Sequence, residues 1–332
     1  MRIVVDAMGS DAHPKPDVLG AILAARETGD TLILVGDEAL VKEELSRHEY
    51  PKNLIEVIHA PEAIDMTDKP SLVLKSKPQS SMHVGMQLVK DGAADAFVSM
   101  GNTGAAHAIA TLGPLKRIKG VKRPALSGIF PLGGHYVTFV DLGANSDCKP
   151  DWLVQFAIMG EIYARRALGL EKPRIALLSN GEEEGKGNQT IRDAAEMLQA
   201  LDINFVGNVE PKDIMWGNAD VVVADGFIGN IFAKTFEASG TYISNIIRDE
   251  LRRNVLTMLG ALLSQSAFKR VRKRVDTFEV GGAPLLGVNG VVIIGHGRSN
   301  EVAIKNAVLQ ARKAVQGGVI EAIREGLDKL AD

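Results

Sequence analysis

A chain of 332 residues with 45% apolar residues is long enough to bury a large core, as one big α/β unit or two smaller ones. A net charge of −3 gives no global attraction for nucleic acid, and a single cysteine, Cys148, excludes an internal disulfide framework. Thirty-four glycines and only 5% aromatics suit many tight turns between strands filled with small and branched apolar residues.

In chain order, Arg2-Ile-Val-Val is a short buried strand ending in the turn Asp6-Ala-Met-Gly-Ser-Asp11. Asp6 interrupts this run before it reaches signal-peptide length, and no run approaches the ~20 apolar residues of a membrane span, so the expectation is a cytoplasmic chain. A helix is predicted from about Pro16-Asp17, with Val18, Ile22 and Ala25 on its apolar face. Further strands are predicted at Thr31–Val35, Ala96–Ser99, Ala125–Phe130, Tyr136–Val140, Ile175–Leu178, Val221–Ala224 and Val291–Ile294. Their apolar runs are continuous rather than alternating, which indicates strands covered on both faces. The expected architecture is therefore a three-layer α/β/α sandwich around a mainly parallel sheet, made mixed by a hairpin turning at Gly133-Gly134. No linker, repeat or low-complexity tract divides it, so residues 1–332 read as a single domain.

Six of the predicted strand ends carry glycine beside Asp, Asn, Ser or Thr. In a parallel sheet such ends are expected to gather along one edge, where backbone N–H groups can meet a ligand. The loops nominate Asp6 and Gly9; Asn102, Thr103 and Gly104; Asn145; Ser179 and Asn180; Asp225 and Gly226; and His296 as substrate-binding positions. His296 could serve as a base or phosphate donor, or simply bond its own loop. The turn from Leu177 to Asn188 leads from a strand into a helix with apolar face Ile191, Ala194, Ala195, Leu198 and Leu201. Such a turn is a natural anion site, and Lys186 adds a mobile cation. Gly181-Glu-Glu-Glu-Gly-Lys-Gly187 is one residue short of a Walker A loop, and Gly187 replaces its Ser or Thr. Dinucleotide fingerprint, nucleophile elbow and HExxH metal pair are all absent from the sequence, so neither cofactor nor metal is expected. Many N–H donors, amides and one lysine without an evident protein nucleophile suit direct transfer between two bound substrates. Phosphate could itself be the nucleophile, attacking an acyl carbonyl whose oxyanion the protein stabilises.

Residues 248–276 hold eight basic residues against three acidic, a net +5, around the apolar run Val255–Leu263. Ile243, Ile246, Ile247, Leu251, Val255, Met258, Leu259 and Leu262 recur at helical spacing as one apolar stripe, with a bend or end expected at Gly260. The first half of the stripe reads as a dimer interface. The second half, with Leu256, Leu259 and Leu263 followed by Lys269, Arg270, Arg272, Lys273 and Arg274, suits a tip that dips into an anionic bilayer or steers an acidic partner. Residues 241–275 are thus expected to form a protruding helical segment.

Ser99-Met-Gly-Asn-Thr-Gly-Ala105, Asp141-Leu-Gly-Ala-Asn145, Leu177–Asn188, Asp225-Gly-Phe-Ile-Gly-Asn230 and Gly281-Gly-Ala-Pro-Leu-Leu-Gly287 together resemble the PlsX family of acyl-carrier-protein:phosphate acyltransferases. Lys69-Pro-Ser71 and Ser80-Ser-Met82 extend the likeness over nearly the whole chain. The resemblance implies transfer of a long acyl chain from acyl carrier protein to inorganic phosphate for phospholipid synthesis. It also implies a Rossmann-like fold similar to phosphotransacetylases and the isocitrate/isopropylmalate dehydrogenases, and a homodimer working reversibly at the inner face of the cell membrane beside a downstream glycerol-phosphate acyltransferase. Carried over by motif, Lys186 and Asn230 would be catalytic. Ser10, Met100, Ile228 and Arg298-Ser-Asn300 depart from the common family pattern. A CoA-dependent short-chain phosphotransacetylase and a non-catalytic scaffold for carrier protein and membrane are the competing readings.

Overall fold

The computed structural model describes residues 1–132, 135–275 and 281–331. The expected turn at Gly133-Gly134 and the side chains of Lys269, Arg272, Lys273 and Arg274 lie outside the described residues. The chain runs β1 (Arg2–Asp6), α1 (Lys15–Thr28), β2 (Thr31–Gly36), α2 (Glu38–Ser46), β3 (Ile55–His59), α3 (Pro70–Ser76), α4 (Ser81–Lys90), β4 (Ala96–Ser99) and α5 (Thr103–Leu112). It continues through β5 (Ala125–Leu132), β6 (His135–Val140), α6 (Pro150–Leu168), β7 (Ile175–Leu178), α7 (Gln189–Gln199), β8 (Phe205–Val209), α8 (Pro211–Met215) and β9 (Val221–Val223). The last part holds α9 (Gly226–Leu251), α10 (Val255–Leu263), α11 (Gln265–Val275), β10 (Ala283–Leu286), β11 (Val291–Ile294), α12 (Glu301–Gln316) and α13 (Val319–Ala331).

The strands form one mixed sheet in the order β3-β2-β1-β4-β11-β10-β5-β6-β9-β7-β8. Both faces are covered, which is why the strands read as unbroken apolar runs. Ile3 and Val5 face one core with α1, α6 and α12, whereas Val4 between them faces a second core with α4 and α5. Under the other half of the sheet, Phe130, Phe139, Leu178 and Val222 build a third core. There Phe232 and Phe236 of α9 stack at 6.5 Å, and Phe232 lies 4.6 Å from Phe139.

Strand direction overturns one expectation. β3, β2, β1, β4 and β11 are parallel to one another. β10 runs against β11 and β5, and β5 against β6. β6, β9, β7 and β8 are again mutually parallel. Three reversals therefore leave the second parallel group pointing opposite to the first, and the six polar loops do not share one edge. Instead the two sets of carboxyl ends face each other. Ile293 of β11 pairs with Pro284, whose carbonyl accepts from the Ser127 hydroxyl at 3.1 Å. Ser127 pairs with Val140 at the end of β6, and Val140 with Val223 at the end of β9. The ends of β11, β6 and β9 thus meet at one height, approached from opposite directions.

The single stripe expected over residues 243–262 is also interrupted. α9 stops at Leu251, and α10 restarts behind a reciprocal cap in which Thr257 N donates to Asn254 Oδ1 at 3.0 Å and Asn254 N to Thr257 Oγ1 at 3.2 Å. Gly260 lies inside α10, not at a bend, because the Asn254 cap has already broken the helix. α11 then returns beside β5. Among the described residues, no helix is long and apolar enough to cross a membrane.

Candidate active site

Each loop is first built for its own stability. Asp6 is buried and accepts from Ser99 Oγ at 2.7 Å and Met8 N at 3.1 Å, tying the β1 and β4 loops together around the buried Gly9. Burial pushes its carboxyl above the usual carboxylate range, against the hydroxyls of Ser81 and Ser99. Asn102 caps α5 by accepting from Ala105 N at 3.0 Å, and its amide donates to the carbonyls of Asp65, Met66 and Asp68. Its candidate role is therefore filled by holding the 65–68 loop against the β4 end.

Across the cleft, Asp141 plays the matching part. Its Oδ1 accepts from the N–H groups of Leu126, Gly143 and Ala144, and its Oδ2 from the backbone and amide of Asn145. Burial raises its pKa against the pull of those donors. The Asn145 carbonyl in turn accepts from Gly226 N at 2.7 Å, locking the β6 loop to the start of α9. Asp225 is the N-cap of α9, accepting from Ile228 N at 2.8 Å. A Cβ at Gly229 would sit 1.9 Å from the Asp141 carbonyl oxygen, so the helix can approach this loop only through glycine. Cys148 lies half-buried behind it. Burial, then the charges of Asp141 and Asp225, push its thiol up to about 12, which leaves no thiolate for nucleophilic work at neutral pH.

In the β7 loop, Gly187 adopts φ 93° and its N–H donates to Asn180 Oδ1 at 3.0 Å, while Asn188 caps α7 through Ile191 N. The helical face predicted for α7 packs on the core as expected. Ser179 and Asn180 shape this turn. Lys186 is exposed, with no ion pair among the described residues, at the carboxyl end of a strand adjacent to β9.

Between the two sets of loops lies a cavity of about 740 Å³. Of the nominated residues, the cavity brings together Thr103, Gly104, Asn230 and His296; Asp6, Gly9, Asn102, Asn145, Ser179, Asn180, Lys186, Asp225 and Gly226 lie outside its wall. The Asn230 side chain makes no hydrogen bond among the described residues, and Gly143 opposite it leaves its amide accessible: a Cβ there would stand 3.7 Å from Asn230 Cγ. His296 does not bond its own loop through its ring. Its Nε2 lies 3.6 Å from Glu237 Oε1, and Arg298 Nη2 lies 3.7 Å from Glu237 Oε2. Lys234 and Glu237 also line the cavity and went unnoticed in the sequence, although their i+4 and i+7 spacing from Asn230 places them on its face of α9. His107, four residues after Thr103, was missed in the same way.

The arrangement offers an accessible amide, a helix N-terminus at Thr103 and the Lys234 ammonium around a cavity with largely apolar walls. A family model described as "Fatty acid synthesis protein" matches residues 1–322. The chain belongs to that family, the PlsX family of phosphate acyltransferases. PlsX relatives named "Phosphate acyltransferase" include one from Pelotomaculum thermopropionicum, 44% identical over 330 residues, covering 99% of this chain and 96% of the relative. Another, from Geobacter sulfurreducens, is 46% identical over 328 residues, covering 99% of this chain and 94% of the relative. This member of the PlsX family is accordingly an enzyme that transfers acyl groups to phosphate. Among solved structures, a phosphotransacetylase from Streptococcus pyogenes superposes with a TM-score of 0.65 at 19% identity, over 97% of this chain and 94% of that one. A branched-chain phosphotransacylase from Enterococcus faecalis gives 0.57 at 15% identity, over 95% and 99%. These likenesses establish the fold: the α/β/α sandwich expected from the sequence.

Proposed function

We propose that the enzyme transfers a long-chain fatty acyl group from acyl carrier protein to inorganic phosphate, giving acyl phosphate for phospholipid synthesis. The observation that carries this reading is Asn230, an accessible, unpaired amide where the two sets of carboxyl ends converge. A phosphate oxygen attacks the thioester carbonyl, and a C–O bond forms. The tetrahedral oxyanion is held by the Asn230 amide, and Lys186, outside the cavity wall in the β7 loop, swings toward the bound phosphate to neutralise charge. Collapse breaks the C–S bond, releases the carrier thiolate, which takes up a proton, and leaves acyl phosphate.

The exposed apolar surface of α10 supports a membrane-facing tip within the 241–275 segment: Leu256 is 81% and Leu263 85% exposed. The outer half of α9, with Ile243, Ile246 and Ile247 also exposed, supports a homodimer seam. A reversible membrane contact would deliver a poorly soluble acyl phosphate to the downstream glycerol-phosphate acyltransferase.

Purified enzyme incubated with phosphate and either palmitoyl carrier protein or acetyl-CoA tests the reaction. Acyl phosphate from the first donor is expected. Product from acetyl-CoA alone would replace the reading with a short-chain phosphotransacetylase. Leu259→Glu combined with Leu263→Glu is expected to abolish sedimentation with anionic vesicles while leaving a dimer. Unchanged vesicle binding would refute the tip, and a monomer would extend the seam over the whole segment.

A further inference from the structure

The loop between α5 and β5 carries charge that the reaction itself does not use. Residues 113–124 hold five basic residues and no acidic one, in a chain whose net charge is −3. The loop is pinned from beneath. Ile118 and Val121 are buried in the core. The Asn289 amide donates to the carbonyls of Leu115, Lys116 and Arg117, and Gln155 Nε2 donates to the Gly120 carbonyl at 3.0 Å. Lys116, Arg117, Lys119, Lys122 and Arg123 are left exposed, and none forms an ion pair among the described residues. Arg117 donates to the Lys122 carbonyl at 2.6 Å, and the Arg123 guanidinium lies 4.9 Å over the Trp152 ring. Both guanidinium groups are thus held in place by contacts that leave their charge unneutralised.

This basic loop borders the Asn230 end of the cavity. Leu112, 69% exposed, lines both the cavity and the depression formed by Lys116, Arg117 and Lys119. The Pro124 carbonyl accepts from the Asn145 amide at 2.8 Å, and Leu142 N donates to the Leu126 carbonyl at 2.9 Å. These bonds tie the end of the loop to the 141–145 turn, whose Gly143 faces Asn230. Burial, and then the charge of Arg123, push the His107 imidazole below its ordinary range, so the loop's field is felt on the cavity wall.

We infer that residues 116–123 are the docking surface for an acidic face of the acyl carrier protein, which delivers its thioester across the Leu112 edge toward Asn230. This rests on the donor assigned in the acyl-transfer reading above and names where that donor is held. The surface fits an acidic protein better than a bilayer. A membrane-inserting surface sets several protruding apolar side chains beside its cations, whereas of Leu112, Leu115, Ile118 and Val121 only Leu112 is exposed. Clustered like charges repel one another and are relieved by a partner of opposite sign. An acidic protein meeting a chain of net negative charge also needs a local positive target to set its orientation. On this division the α10 tip serves lipid and the α5–β5 loop serves the carrier.

The test uses full-length enzyme carrying Lys119→Glu combined with Lys122→Glu, two exposed side chains without a bond among the described residues. Lys52→Glu combined with Lys172→Glu, at exposed positions before β3 and β7, makes the same change in net charge elsewhere. The loop variant is expected to raise the KM for palmitoyl carrier protein about tenfold or more at low salt, with the gap mostly closed at high salt and the KM for phosphate as in the parent. The control should stay within about threefold of the parent, and Lys119→Arg combined with Lys122→Arg should restore the parent's KM. A loop variant that is no worse than the control overturns the docking surface and leaves the acyl-transfer reading standing. So does one that loses sedimentation with anionic vesicles but keeps its KM for carrier protein, which would make the loop a lipid site. Equal rises in the KM for carrier protein and for phosphate also count against it. A parent that makes acyl phosphate from acetyl-CoA and none from palmitoyl carrier protein overturns the acyl-transfer reading and the docking surface with it.

Discussion

Removing the Asn230 amide separates catalysis from architecture, because the structure divides these tasks between two neighbouring residues. The N-cap of α9 is Asp225, whose Oδ1 accepts from Ile228 N, whereas Asn230 sits a turn further in and its side chain bonds to nothing among the described residues. Asn230→Ala therefore orphans no partner. Alanine is also the better helix former by about 0.5 kcal/mol, so the melting temperature should hold or rise slightly. The catalytic cost should resemble that of losing one oxyanion donor, about 3 kcal/mol or a hundredfold or more in kcat. Asp225→Ala is the control. It should lose about 1 kcal/mol of stability through the missing cap. The assay pairs thermal melts with acyl phosphate formation from palmitoyl carrier protein. A melting temperature that drops in Asn230→Ala while turnover stays within a factor of three would refute the assignment and return Asn230 to a structural role.

Lys186→Ala should fold as the parent does, since the side chain is exposed and makes no ion pair among the described residues, yet lose roughly a hundredfold in acyl phosphate formation; near-normal turnover would remove it from the mechanism. Gly229→Ala must separate α9 from the Asp141 carbonyl and is expected to lower both stability and kcat together, which circular dichroism melts and kinetics on one preparation will show. Asp17 is buried and accepts from the Ser10 hydroxyl at 2.5 Å. Burial, opposed by Ser10 and reinforced by Asp6, holds its pKa well above the usual carboxylate range. With the folded value above the unfolded one, its stabilising contribution is complete below about pH 3.9 and is lost as pH rises through the folded value. Asp17→Asn should therefore gain over the parent in urea midpoint more at pH 8 than at pH 4.5; an equal gap at both would contradict the linkage.

The strands visible in the sequence are those buried on both faces. Ile3–Val5, Leu32–Val35 and Val291–Ile294 are unbroken apolar runs because helices cover them above and below. β3 and β8 escaped notice because they are the outer strands of the sheet: Glu56 and Val206 are exposed, and Gly207 interrupts the latter. β10 is only Ala-Pro-Leu-Leu between glycine-containing turns. Its antiparallel insertion, together with the β5–β6 reversal, sets the two parallel groups face to face. A local pattern carries no record of that, since direction depends on pairings between distant residues. The loops were legible as polar and glycine-rich, but not which of their side chains would be consumed in building the loops. Asn102 and Asn145 look in sequence like Asn230, and only their carbonyl and carboxylate partners reveal that they are already occupied.

The sheet order also has a consequence for the making of the protein. β4 and β5 owe neighbours to β11 and β10, which arrive about 195 and about 155 residues later in the chain. At ribosomal speeds of roughly 5–20 residues per second, the outer flank of β4 waits about 10–40 s with its N–H and C=O groups unpaired. An apolar strand held open that long is a site for pairing between nascent chains. A chain ending before Gly281 should consequently precipitate or be retained by chaperones during synthesis. The residues that close the middle of the sheet are thus among the last made, and they bring His296 to the cavity in the same step.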